Sequence, residues 1–174
     1  MAFTFDSTIK GTTANSYVSV QDADDYFGGS IFSSVWTELT TEEREQHLVS
    51  ATNRLEAELY AGLPTTDTQS LSMPRQGLYS VEGDKALDED TIPYSFQKAT
   101  YELALAYVQE YKNESPMFSQ QDMERMSKID LGPISADLRK TTEHALPNIV
   151  KRYLKSVAYL FWKGSSPFIP AVRV

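Results

Sequence analysis

The stretch TIPYSFQKATYELALAYVQEYK, from Thr91 to Lys112, decides how this chain folds. Pro93 stands where a helix can begin, because its missing N–H would have no partner in the first turn. After it, Phe96, Ala99, Leu103 and Tyr107 recur at helical spacing, and Tyr101, Leu105, Val108 and Tyr111 form a second apolar stripe. A surface helix of a small globular protein needs one such stripe. Two stripes leave two readings open: the helix is central to a helical core, or its second face is shared with another subunit.

Upstream, Ser19 is placed to cap a helix running toward Gly28 and Gly29, with Asp22, Asp24 and Asp25 in its first turns, where the dipole favours acids. Ile31 to Leu39 reads as a short helix turning Phe32, Val35 and Trp36 inward. Thr40 with Glu43 makes a capping-box pattern, and the helix it opens carries Leu48, Ala51, Thr52, Leu55 and Leu59 on one face. Residues 1 to 15, with Phe3, Phe5 and Ile9 alternating, permit a short edge strand. From 60 to 90 the periodicity vanishes, and Gly and Pro punctuate a long irregular loop whose MPRQG segment reads as a tight turn held by Met73.

Downstream, residues 113 to 128 are polar with intermittent Met117, Phe118, Met123 and Met126. KIDLGPISADLR reads as two short strands about a Gly-Pro turn, placed near 128–139. ALPNIVKRYLKSVAYLFW predicts a helix with Ile149, Val150, Tyr153, Leu154, Val157, Ala158 and Phe161 toward a core, and SSPFIPAVRV an extended tail. The expected fold is mainly α: a small helical bundle with a short β-hairpin, a long irregular loop and an extended C-terminal tail. It comprises one domain over 1–164 and a tail over 165–174.

The chain has 174 residues and a formal net charge of −8, with no cysteine, hence no disulfide or thiolate chemistry. Residues 141–174 hold Lys151, Arg152, Lys155, Lys163 and Arg173 against Glu143, a balance of +4, which leaves −12 on the first 140. An acidic body argues against coating nucleic acid. A basic end can meet an acidic partner or DNA, though an ordinary solvated helix face is the plainer reading. No apolar run is long enough for a membrane span, and the opening residues lack the pattern of a secretory signal, so synthesis in the cytoplasm and no membrane partner are expected.

Chemistry is sparse. His47 and His144 are the only imidazoles and lie in no metal-binding spacing. There is no GxSxG elbow, P-loop or GxGxxG, and the acidic clusters at 22–25, 42–45 and 88–90 lack the ligand spacing of a calcium loop. Only KRYLKSVAYLFWK approaches the aromatic-plus-basic pattern of a single-strand groove, and at helical spacing its aromatics read as core. The expectation is a binding protein with no catalytic residue, no metal and no cofactor.

Three segments in order, NSYVSVQDADDYF, MPRQGL and IPYSFQKATYELALAY, give a resemblance over about residues 15 to 112. In these the chain resembles the head–tail connector proteins of tailed bacteriophages, also called adaptor or head-completion proteins. Many of those sequences carry the label "putative DnaT-like single-stranded DNA-binding protein". The resemblance implies a structural neck protein of the virion, made in the host bacterial cytoplasm: a ring, usually a dodecamer, docked on the portal protein. Such a ring extends the DNA channel, passes genomic DNA without sequence-specific binding, and receives tail or nozzle proteins.

Carried onto this chain, the resemblance places portal contact on Lys151, Arg152, Lys155, Phe168, Ile169, Pro170, Val172, Arg173 and Val174. It places contacts between copies of the chain on Tyr101, Leu105, Val108, Met73 and Arg75. Residues 113–128 are longer and more polar than that pattern. On this reading Leu105→Asp or Tyr101→Asp would disrupt assembly more than folding. The alternative is a single-stranded DNA-binding replication protein, with salt-dependent affinity for oligonucleotides to which Lys151, Arg152 and Lys155 contribute.

Overall fold

A computed structural model describes residues 3–78, 86–113, 128–130, 135–137 and 146–157. Five helices and two small antiparallel ladders appear: α1 (Val20–Gly28), α2 (Ser33–Thr37), α3 (Thr41–Glu56), β1 (Leu63–Pro64), β2 (Arg75–Gln76), α4 (Tyr94–Asn113), β3 (Lys128–Asp130), β4 (Ser135–Asp137) and α5 (Asn148–Val157). The mainly α class with a short hairpin is therefore as expected. The residues expected to form the C-terminal tail lie outside those described, as do Met117, Phe118, Met123, Met126 and His144.

Helix starts follow local chemistry. The Ser19 hydroxyl accepts from the Asp22 N–H, the Thr40 hydroxyl accepts from the Glu43 N–H, and both carboxylates reach back to form capping boxes. Pro93 lies just before α4, and its carbonyl accepts from Phe96 N at 2.8 Å and Gln97 N at 3.1 Å. Pro147 does the same for α5 through Lys151 N at 3.0 Å. Both prolines sit where a lost donor costs nothing.

The longest helix among the described residues, α4, is at the centre of their packing, against α2, α3 and α5. Phe96, Ala99 and Leu103 are buried on one side. Its second stripe is buried too: Tyr101 is 2% exposed, Leu105 4% and Val108 0%. Tyr26 of α1 stacks on Tyr101 at 4.7 Å between ring centroids, and Phe27 meets the same ring edge-on. The expectation that Tyr101, Leu105 and Val108 face another subunit is thus corrected. One chain supplies enough helices to surround α4, so the stripe is core.

Other departures have plain causes. The α3 helix stops at Glu56, so Leu59 falls beyond the amphipathic register and is 70% exposed. Within the Ile31–Leu39 segment only Trp36 and Leu39 are fully buried, while Phe32 points outward. Residues 3–15 form no strand. They fold back on themselves, with Asn15 and Ser16 amides donating to the Asp6 carbonyl and the Asp6 amide donating to Asn15 Oδ1.

The excursion from 60 to 78 is ordered from within. Leu63 and Pro64 pair with Gln76 and Arg75, and Gly62 (φ +73°) makes the approach to that ladder. Met73 is buried, as the turn reading expected. The Arg75 guanidinium donates to the carbonyls of Ala61 (2.7 Å), Gly62 (2.8 Å) and Ser72 (3.2 Å). Met73 and Arg75 thus each hold the loop from within the chain. The Glu56 carboxylate accepts from the Ser72 amide and hydroxyl, fastening the loop to the end of α3. Burial raises the Glu56 pKa, opposed by those hydrogen bonds and by Arg75. The N-terminal segment is fastened to the same loop: Ser70 donates from its amide to the Gly11 carbonyl and from its hydroxyl to those of Gly11 and Ala14. Lys10 pairs with Asp90.

Candidate nucleic-acid interface

The α5 helix is sharply two-sided. Val150 and Leu154, four residues apart, are completely buried, with Leu146 just ahead of the helix. Burying such side chains contributes about 1.5–3 kcal/mol each, which docks α5 on α4. That rotation turns Arg152 and Lys155 fully outward and leaves Lys151 half-buried. It also turns Ile149 outward, 40% exposed, where the sequence reading had placed it in the core. One residue of helix is 100° of rotation, and Val150 takes the inner position instead.

Among the described residues, none of Lys151, Arg152 and Lys155 has a carboxylate within ion-pair distance. Lys10, Arg44 and Arg54 are paired, with Asp90, Asp24 and Glu58. The α5 cations thus form a patch of positive charge with no ion-pair partner among the described residues.

A second feature lies where α4 meets α5. Tyr94 and Lys98 are one helical turn apart on α4. The Lys98 ammonium sits 4.4 Å from the Tyr94 ring centroid and 5.8 Å from that of Tyr153 on α5. Tyr94 is 61% exposed, and Tyr153 is half-buried. Lys98, too, has no carboxylate within ion-pair distance among the described residues. One turn further along α4, Glu102 accepts from the Tyr26 hydroxyl at 2.6 Å. Burial first, then this bond to Glu102 and a weaker one to Tyr153, pushes the Tyr26 pKa far up, so the phenol stays protonated and keeps donating.

The acidic clusters have structural uses. Asp22 belongs to the α1 cap, and Asp24 accepts from the Trp36 indole at 2.7 Å and from Arg44 at 3.1 Å. Asp88 accepts from the Asp90 amide and the Thr91 hydroxyl. Among the described residues no group of three His, Asp or Glu side chains is placed to hold a metal. His47 is half-buried on α3, and burial lowers its pKa against the pull of Glu43. No helix among the described residues is long and apolar enough to cross a membrane.

Of the residues expected to touch a partner, Lys151, Arg152 and Lys155 come together on α5. Phe168, Ile169, Pro170, Val172, Arg173 and Val174 lie outside the described residues. Tyr94 and Lys98 were missed, because α4 was read for its apolar spacing alone. The signal was present as an aromatic and a lysine four residues apart at the start of the helix.

One family model, described as "Putative DnaT-like ssDNA binding protein", matches residues 1–174. No curated protein and no solved structure matches the chain. The match overturns the structural reading drawn from the resemblance. The family is described by single-stranded DNA, and nothing in it speaks of a virion, a neck ring or a portal. The alternative weighed beside that reading is the one it favours.

Proposed function

We propose, from the premise that the chain belongs to this DnaT-like single-stranded-DNA-binding family, that it binds single-stranded DNA through the outward face of α5. The observation that carries the proposal is the set of cations at Lys151, Arg152 and Lys155, without carboxylate partners among the described residues. Phosphates lost from water need such compensation, and binding releases the counterions they held. The acidic remainder of the chain repels the backbone elsewhere, so contact is confined to one face and the footprint is short. The protein works by holding the strand, with no reaction performed on it.

Anisotropy of a labelled thymidine oligomer of about 15 nucleotides, long enough for a typical single-strand site, tests this. Three or four phosphate contacts predict a slope of log K against log salt between about −2 and −3. Replacing Lys151, Arg152 and Lys155 together by Gln should lower affinity at least about tenfold and flatten that slope by about 2. An affinity indifferent to salt, or untouched by the triple substitution, rejects the assignment to α5.

A further inference from the structure

We propose that Tyr94, Lys98 and Tyr153 form a seat for one nucleobase of the bound strand, with Tyr94 as the stacking surface. This rests on the single-stranded DNA reading but adds a term that cations alone do not give: recognition of a base as well as a phosphate.

The argument begins with how Tyr94 is held. A tyrosine at the first turn of a helix, 61% exposed, would ordinarily sample several rotamers. Here the Lys98 ammonium lies over one face of the ring at 4.4 Å, an attraction of the cation–π kind. The same ammonium faces Tyr153, which fixes it from the α5 side. One ring face is therefore covered by the lysine, while the residue as a whole stays 61% exposed. A held aromatic ring that stays exposed is what a base needs for stacking, since little rotamer entropy is lost on contact.

The charges agree. Lys98 has no carboxylate in ion-pair distance among the described residues, so its charge remains available to a phosphate flanking the stacked base. Glu102, one turn along α4 from Lys98, accepts a hydrogen bond from Tyr26, which tempers its repulsion. The seat lies where α4 and α5 pack together, on the Tyr153 flank of α5.

Two oligomers of equal phosphate number separate base from backbone: a thymidine oligomer and one of abasic spacers. Wild-type protein should prefer the thymidine oligomer about tenfold. Tyr94→Ala should erase that preference without changing the salt slope, and Tyr94→Phe should keep it. Circular dichroism of each variant checks that the helices persist. Equal wild-type affinity for both oligomers would overturn the base seat and leave the α5 phosphate surface standing. Loss by Tyr94→Ala on both oligomers alike would also overturn it. Wild-type protein binding neither oligomer would bring down the DNA reading itself.

Discussion

Gly62 shows how a single position sets the path of the loop. Its φ is +73°, and a Cβ built there would lie 2.4 Å from the Gln76 carbonyl oxygen, the residue paired with Leu63. Gly62→Ala therefore meets a disfavoured backbone and a collision with main chain together. We expect it to cost about 1–3 kcal/mol, read as a lowered urea midpoint. Gly28→Ala is the matched control. Nothing lies within 4 Å of an added Cβ at that position in α1, and alanine there should be neutral or stabilising by up to about 1 kcal/mol. Equal losses at both sites would remove the ladder as the cause. The sequence marks Gly62 as punctuation, but which carbonyl it faces depends on a partner 14 residues away.

At the scale of elements, Asp24 joins three helices. From α1 it accepts from the Trp36 indole of α2 and the Arg44 guanidinium of α3, which also donates to the Thr37 carbonyl. Asp24→Ala would leave a donor and a charge unsatisfied beside the core. The expected loss is about 2 kcal/mol, and smaller for Asp24→Asn, which keeps an acceptor for the indole. A loss below about 0.5 kcal/mol for the alanine variant would show the junction to be dispensable. The caps at Ser19 and Thr40 were legible in the sequence because their partners lie three residues on. Asp24 was read only as a first-turn acid because its partners lie 12 and 20 residues away. Ile149 and Leu59 were misplaced for a related reason. Periodicity gives an apolar stripe, whereas its phase and its end depend on what packs against it.

For the whole molecule, the two stripes of α4 posed a choice that periodicity could not make. The buried positions of Tyr101, Leu105 and Val108 make that helix the core of one chain. Leu105→Asp should therefore abolish cooperative unfolding and helical circular dichroism outright, since an unpaired charge would be forced into the interior. A folded, soluble Leu105→Asp monomer would return the face to the surface. The candidate site was half legible: the basic run on α5 stands out in the sequence, while Tyr94 and Lys98 meet Tyr153 only because the fold packs α4 on α5.

The stitching of Ser70 to Gly11 and Ala14, with Lys10 to Asp90 beside it, ties two stretches of irregular chain to a common fate. Neither can swing out to a protease without releasing the other. Under limited digestion, nicks near residue 10 and near residue 70 should rise together, with Ser70→Ala accelerating both.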